Sequence, residues 1–450
     1  MVHDAAENLR RAGGEAFVVG GAVRDVLLGK TPGDFDLATN LLPKKVATLF
    51  PFTVPTGIAH GTISVWMNSS GAGKPIEVTT YRADVGYSDG RRPDQVEFKS
   101  KIEDDLARRD FTINAIAYDP AADRLVDPYG GQTDLDGKVL RAVGAAVQRF
   151  SEDGLRPMRA VRFAAQLGFQ IEARTFSAIG ETLDVVRRVS VERLRDELLK
   201  ILDTDKPSIA FELMRTSGLL AIVLPELLEG VGMHQNHFHK YSVYDHTIAC
   251  IDAAVGRTAR LGALFHDIAK PRTVAPKEGA PGENTFYRHD HVGADLSDQI
   301  LRRLRFSNEE RELIVALVKN HMFWYDPAWS DGAVRRFVGR VGEERLEPLF
   351  DLRAADIVGR GQGEDPRSEL EPLKTRITDV LSKSRAVKVT DLAIDGNDVM
   401  QALALKPSRI VRDVLEALLE RVLEEPGLNE RHTLLALLPD ILAALHKPSA

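Results

Sequence analysis

The feature that most limits what this chain can fold into is a change of character near Val139. Before it, short runs rich in apolar and β-branched residues recur between Gly or Pro: residues 16–19 (AFVV), 61–67 (GTISVWM) and 75–81 (PIEVTTY). Such runs predict strands, and helical patterns such as residues 23–28 lie between them. Residues 85–94 (VGYSDGRRPD) combine Gly, Pro and charge and predict a loop. After Val139, Leu, Ala, Arg and Glu dominate, and the spacing predicts helices through to the C-terminus. The chain is therefore a mixed α/β head followed by helical segments.

At 450 residues it is too long for one ordinary domain. Its 44% apolar and 28% charged residues exclude a disordered or collagen-like chain. No stretch approaches the roughly 20 apolar residues of a membrane span, and residues 1–10 lack the apolar core of a signal peptide. A cytoplasmic location with no membrane partner is expected. The single cysteine, Cys250, excludes an intrachain disulfide framework and a Cys-rich zinc site. Net charge is 59 − 66 = −7, which does not suit a bulk nucleic-acid binder. Residues 138–200, however, carry 12 Lys/Arg against 8 Asp/Glu, a local +4 that offers a surface to a nucleic-acid backbone. A second helical region, residues 233–359, holds most of the histidines and is interrupted by a loop at 274–285. Residues 359–367 (GRGQGEDPR) read as a linker, and residues 386–447 as a leucine-rich helical tail with breaks at Pro407–Ser408 and Pro426–Gly427.

The most informative stretch is residues 16–40 (AFVVGGAVRDVLLGKTPGDFDLATN). A strand runs into Gly20-Gly21 and then a helix carrying Arg24. Adjacent glycines let the backbone approach a ligand, a helix start offers N–H groups to an anion, and Arg24 one turn in can pair with a phosphate. Asp34 and Asp36 follow. On a strand, positions i and i+2 share a side, so the two carboxylates face one way with Phe35 and Leu37 towards the core. Paired carboxylates repel unless a cation sits between them, and hard oxygens suit Mg²⁺. An exposed Asp-x-Asp turn is the commoner use of that triplet; the glycine turn and Arg24 upstream reverse the odds. Together they predict a phosphate cradle beside a metal pair, as phosphoryl or nucleotidyl transfer requires. Glu77, between apolar Ile76 and Val78, is a candidate third carboxylate.

These residues resemble a known family. Residues 20–39, as GG-x-x-RD-x-x-LG-x-x-P-x-DFDLAT, are similar to the signature of class II tRNA nucleotidyltransferases, the CCA-adding enzymes, and the related bacterial poly(A) polymerases. Residues 76–82 (IEVTTYR), 108–115 (RRDFTINA), 127–131 (DPYGG), 152–165 (EDGLRPMRAVRFAA) and 190–199 (SVERLRDELL) resemble the family's following motifs in order. The resemblance spans residues 16–202. It implies an α+β protein: a nucleotidyltransferase head with a small antiparallel sheet (1–140), an all-α neck with base-selecting and RNA-binding helices (141–232), an HD body (233–360) and a helical tail (361–450).

It also implies roles. Asp34 and Asp36 would be catalytic and hold two Mg²⁺ ions. Gly20, Gly21 and Arg24 would hold the triphosphate. Arg109, Asp110 and Asn114 would contact ribose and triphosphate, with Asp110 choosing ribose over deoxyribose. Asp153 and Arg156 would read the incoming base, and Arg159, Arg162 and Arg193 would make further nucleotide or RNA contacts. At spacing i, i+3 the base-reading pair shares a helix face. A carboxylate accepts from an exocyclic amine and a guanidinium donates to a ring acceptor, which suits cytosine and adenine and opposes uracil and guanine. Gly154 stands where the family usually has Pro, and Pro157 directly follows Arg156, so a kink is expected there. Residues 87–98 (YSDGRRPDQVEF) resemble the flexible loop that addition of the terminal A requires, which disfavours CC-only activity.

In the second region His246, His266-Asp267, His289 and the distant Asp356 resemble an HD-superfamily site for a divalent transition metal or Mg²⁺; neighbouring His291 and His321 are weaker candidates, open to an ordinary surface or core reading. The expected function is template-independent addition of CCA to tRNA 3′ ends from CTP and ATP, by a monomer or homodimer. The alternatives are a poly(A) polymerase, which the net acidic charge disfavours, or an A-adding tRNA nucleotidyltransferase, and, from another class, an HD-type metal-dependent phosphohydrolase.

Overall fold

The computed structural model describes residues 1–57, 61–85, 95–235, 240–279, 283–363, 365–383 and 386–446. The loop expected over 85–94, and residues 87–94 of the segment likened to the family's flexible loop, lie outside the described residues beyond Val85. The chain forms two compact units, Met1–Leu228 with Arg303–Arg305, and Glu229–Arg302 with Phe306–Ala450.

The strands of the first unit are β1 (Phe17–Val19), β2 (Asp36–Thr39), β3 (Phe52–Gly57), β4 (Thr62–Trp66), β5 (Ile76–Thr80), β6 (Arg82–Val85), β7 (Gln95–Phe98), β8 (Ala117–Asp119) and β9 (Arg124–Val126). Seven of them build one sheet in the order β3-β4-β5-β2-β1-β8-β9, while β6 pairs with β7 separately. The sheet is antiparallel except where β2 runs parallel to β5. That exception has a cause. The β3–β4 hairpin occupies the chain between β2 and β5, so β5 returns beside β2 in the same direction. The register then pairs Asp36 with Glu77 on one side and with Val19 on the other.

Side-chain periodicity explains these strands. In β5, Ile76 and Val78 are buried and Glu77 is exposed, as alternation requires. The interior strand β1 is buried along its whole length; Phe17 and Val19 pack with Ala38, Tyr81, Ile102, Leu106, Ala115, Ala117 and Val143. Each such side chain contributes about 1.5–3 kcal/mol on burial.

From Val139 on, the regular structure of the described residues is helical apart from two short strand pairs. Val139–Leu140 lies parallel to Gln170–Ile171. Val274–Pro276 pairs with Asn284–Phe286, so the ends of the loop expected over 274–285 are a hairpin. The tail has a core of its own, including Val399, Val414, Leu418, Val422, Leu434 and Leu438. Its helix Arg409–Glu424 starts after Pro407–Ser408 and stops before Pro426, where the sequence breaks predicted. Among the described residues no helix is long and apolar enough to cross a membrane.

Candidate functional site

In the first unit a cleft of about 480 Å³ opens beside the ends of β1 and β2. Gly20, Gly21, Arg24 and Asp36 line one side, and Arg109, Asp110 and Asn114 another. Asp153, Arg156, Arg159 and Arg162 complete it. The cleft thus gathers most of the residues singled out from sequence. It adds Arg108, Phe163 and Gln166, which sequence reasoning did not name. Six arginines against three aspartates line it, so it attracts anions.

Gly20 sits at φ +73°, and a Cβ there would lie 2.8 Å from an Arg109 terminal nitrogen and 3.6 Å from Asp36 Oδ2. Only glycine gives this backbone position and this clearance. Arg24, on the Gly21–Leu27 helix, is buried and already engaged. It donates to Asp25 Oδ1 from Nε and a terminal nitrogen (2.9 and 2.7 Å) and to Asn114 Oδ1 (2.9 Å).

Arg108 and Arg109 are both gripped by Asp105, which is fully buried; the shortest contacts are 2.6 and 3.0 Å. Asp105 is a carboxylate that the sequence analysis missed; an acidic residue in the first turn of the Ile102–Ala107 helix was the only signal for it. Asp110 accepts from Arg159 (2.6 Å), from the Asn114 amide (3.1 Å) and from the Phe111 N–H (2.9 Å). Burial alone would raise its pKa, but Arg159, the Asn114 hydrogen bond and Arg156 hold it down at about 2. The Phe163 ring lies under three guanidiniums, with Arg162 at 4.0 Å and Arg24 and Arg159 each at 5.2 Å from its centroid. A π face is a neutral way to hold like charges together.

The base-reading pair is arranged differently from the expected shared helix face. Asp153 is extended (φ −141°, ψ 108°) at the end of the Ala146–Glu152 helix, and Arg156 opens the next helix, Arg156–Leu167. Pro157 therefore stands in a first turn, where its missing N–H costs nothing, and the expected mid-helix kink is a helix start. Gly154 makes the break tight, since a Cβ there would meet the Val185 carbonyl oxygen at 2.5 Å. Asp153 accepts from Arg193 at 2.9 and 3.2 Å, so Arg193 stands behind the cleft rather than in it. Arg156 donates to Glu152 (2.6 Å) and to the Arg149 and Arg108 carbonyls (2.7 and 2.9 Å).

The two aspartates are not on one strand. Asp36 is the first residue of β2, whereas Asp34 lies on the bend before it, 78% exposed and 3.2 Å from Lys74. The loop turns there because Pro32-Gly33 precedes it. Burial pushes the Asp36 carboxyl above its ordinary range; the Arg109 guanidinium opposes this, while Glu77 and Asp34 add to it. Asp36 thus feels both neighbouring carboxylates, but of the three only Asp36 lines the cleft, and they do not close into one group of ligand atoms among the described residues; a hard cation held by Asp36 would need Asp34 and Glu77 to turn towards it.

The second unit brings together another set. His246 Nε2 lies 3.2 Å from His266 Nε2 and 3.2 Å from Asp356 Oδ1. Asp267 reaches both halves of the cluster: Oδ2 is 3.2 Å from His266 and Oδ1 is 3.4 Å from His289. His321, left open by the sequence, faces His289 at 3.3 Å. Cys250 Sγ is 3.5 Å from His246 Nε2. His266, His289 and His321 each spend Nδ1–H on a backbone carbonyl, of Ala263, Phe286 and Val318 respectively. Their Nε2 atoms therefore present lone pairs. Burial, with His266 and His289 beside it, holds His321 at about 3, so it is neutral. Lone pairs facing one another at 3.3 Å beside carboxylates fit a bound cation.

Comparison with known proteins shows the family. Residues 16–141 match the family model of the poly A polymerase head domain, residues 168–230 a probable RNA and SrmB-binding site of polymerase A, and residues 243–361 the HD domain. A CCA-adding enzyme of Lactiplantibacillus plantarum is 46% identical over 433 residues, 95% of this chain and 93% of its own length. That of Geobacillus kaustophilus is 46% identical over 213 residues, so the alignment spans about half of it (52%). The crystal structure of the Bacillus stearothermophilus CCA-adding enzyme in complex with CTP superposes with a TM-score of 0.74 at 29% identity, covering 99% of this chain and 98% of that one. With an α+β fold, a nucleotidyltransferase head and an HD domain in this order, the chain belongs to the CCA-adding enzyme family.

Proposed function

We propose that this chain adds C, C and A to tRNA 3′ ends from CTP and ATP without a nucleic-acid template. The observation that carries the reading is the single cleft in which Asp36, the Gly20–Gly21 turn, the Asp105-held arginines and the Asp153/Arg156 break meet. The relatives' names and the CTP complex support it.

In this reading the tRNA 3′ oxygen attacks the α-phosphorus of the NTP, a P–O bond forms, and the bond to pyrophosphate breaks as the hydroxyl proton is lost. Asp34 and Asp36, with Glu77 as a third donor, would hold Mg²⁺, which when bound lowers the hydroxyl's pKa and offsets charge on the phosphoryl oxygens. Arg109, fixed by Asp105, faces the triphosphate. Asp110, kept ionised by Arg159, accepts from a ribose hydroxyl. Asp153 accepts from the exocyclic amine that cytosine and adenine share, and Arg156 donates to the ring acceptor beside it. Arg193 holds the first of these and Glu152 the second, so the pair is set before the base arrives. Arg159, Arg162 and the positive neck contact the nucleotide and the RNA backbone.

The test is extension of tRNAs lacking CCA, ending in C or ending in CC, with each NTP separately and together. All three should finish at CCA and stop. Runs of A beyond that point would make the chain a poly(A) polymerase, and extension of the CC-ended tRNA alone an A-adding enzyme.

A second reading has its own observation. A cavity of about 410 Å³ beside the histidine centre is lined by Lys270, Arg353 and Arg360 together with Asp267, His289 and His321. Cations beside a metal-ligand set suit a phosphorylated substrate, so the HD body acts as a metal-dependent phosphohydrolase in addition to the head's transfer. Phosphatase activity that survives Asp34→Ala and disappears with His266→Ala supports it; none in the wild type rejects it.

A further inference from the structure

One ring stands where three segments of the head cleft meet. Phe163 lies on the Arg156–Leu167 helix, lines the cleft and is only 5% exposed. Arg24 comes to it from the Gly21–Leu27 helix, with its guanidinium carbon 5.2 Å from the ring centroid. Arg159, one turn earlier on the ring's own helix, is also at 5.2 Å, and Arg162 folds back over the ring at 4.0 Å. The Phe111 ring meets it edge to face at 5.8 Å, and the Phe111 N–H donates to Asp110. Through these contacts one side chain joins the segments that supply Arg24, Asp110 and the two later arginines.

Each of the three guanidiniums has a carboxylate of its own. Asp25 holds Arg24 at 2.7 Å, Asp110 holds Arg159 at 2.6 Å and Glu197 holds Arg162 at 2.6 Å. Those bonds tie each arginine to a different acid and do not draw the arginines together. Like charges this close repel. Burial pulls the Arg162 guanidinium below the ordinary arginine range; Glu197 opposes this and Arg159 adds to it. What the three share is the ring. Its negative face attracts cations without bringing a charge, so it offsets their repulsion and leaves the cleft positive for an anion. A carboxylate there would cancel that field, and an aliphatic side chain would fill the volume without the attraction.

Resting on the transfer reading of the cleft, we propose that Phe163 is a positioning residue for the incoming nucleotide: its π face, more than its bulk, holds Arg24, Arg159 and Arg162 together, so that triphosphate and ribose meet a site already set. Groups ordered in advance add affinity by removing the cost of ordering them on binding. The effect is independent of the base. The ring lies among the residues proposed for phosphate and sugar, whereas Asp153 and Arg156 are held from elsewhere, by Arg193 and Glu152. Phe163 therefore governs how tightly a nucleotide is bound, and not which one.

The experiment uses the full chain with Mg²⁺. It measures the Kd of CTP and of ATP by equilibrium dialysis without tRNA, KM and kcat with tRNA, and Tm. Phe163 is replaced by phenylalanines carrying one, two or three ring fluorines, which nearly keep its volume and progressively weaken the negative face. Log Kd should rise stepwise with fluorine number, alike for CTP and ATP, while Tm stays near wild type. KM should follow Kd, and kcat should change less. Phe163→Leu should weaken both nucleotides about tenfold, with the preference for CTP and ATP over UTP and GTP unchanged. A flat fluorine series, or a Kd that moves only with Tm, overturns the proposal and makes Phe163 a packing partner of Phe111. Loss confined to one base overturns it as well. A wild-type chain that binds neither CTP nor ATP overturns the transfer reading itself. The fluorine series decides even where Phe163→Leu does not fold.

Discussion

The head cleft and the histidine centre answer the same electrostatic problem, several carboxylates or lone pairs that need a cation, in opposite ways. In the head the proposed donors are hard oxygens of unlike exposure: Asp36 is partly buried, whereas Asp34 is 78% exposed and already shares a lysine. Around them, buried carboxylates and carbonyls fix the arginines in advance. In the histidine centre nearly every donor is buried, and carbonyls turn the imidazole lone pairs inward. On the proposed reading, a solvent-reachable oxygen set would exchange its ion readily, whereas a buried set rich in nitrogen would hold one more firmly.

The largest effects should separate along that line. Asp36→Ala should lower addition of both C and A by at least about 10³-fold, because several kcal/mol of charge stabilisation is lost at about 1.4 kcal/mol per decade. Its melting temperature should stay near wild type, since Asp36 is an ionisable group that the fold already resists. His266→Ala should do the converse: it opens a buried polar cluster, costs of order 3 kcal/mol in urea unfolding, and leaves CCA addition largely intact. An Asp36→Ala protein that melts early, or a folded His266→Ala protein that no longer adds nucleotides, would break the comparison.

Within the head, Asp110 gives a pH signature. Its pKa of about 2, against an ordinary 3.8, corresponds to about 2 kcal/mol. Because the folded value is the lower one, that stability is present above about pH 4 and is lost as pH falls towards 2. Urea midpoints measured across that window should fall less steeply in Asp110→Asn than in wild type. Parallel slopes would place the stabilising pair elsewhere.

How much of this was legible in the sequence depended on whether the signal was local. The Gly20–Gly21 turn, Asp36 and the Arg109–Asn114 segment are contiguous motifs, and they meet in the cleft. The Asp36–Glu77 register was not readable, because it comes from a parallel pairing across the β3–β4 hairpin. Spacing i, i+3 put Asp153 and Arg156 on one helix, whereas Pro157 in the first turn and a Gly154 without room for a Cβ both mark a helix start. Asp34 and Asp36 were read as one strand, yet Pro32-Gly33 ends in a bend that the alternation rule ignores. Cys250 could have been found, since it stands four residues after His246 on one helix face. His321 was left open, because its partners come from the distant His289 and Asp267.

Asp105 tests whether preset arginines matter as much as the contrast claims. Asp105→Asn keeps the shape and removes the charge that holds Arg108 and Arg109. The KM for CTP and ATP should rise about tenfold, roughly 1.4 kcal/mol, with kcat changed less. In the double variant with Arg109→Ala the two effects should not add, because one acts through the other. Additive losses would make Asp105 a fold residue with no hand in binding.

The smallest effect sharpens the comparison most directly. Lys74 and a cation compete for the same Asp34 carboxylate, and the pair is exposed on both sides, 72% and 78%. Such a pair is worth about 0.2–1 kcal/mol and is screened by salt. Lys74→Ala should therefore leave stability unchanged and lower the Mg²⁺ concentration for half-maximal addition by about twofold, a gain that fades at high ionic strength. No shift at low salt would mean that Asp34 does not bind the metal, and would leave Asp36 and Glu77 as its holders. A larger shift would mean that Lys74 acts as the resident cation whose departure each turnover must await.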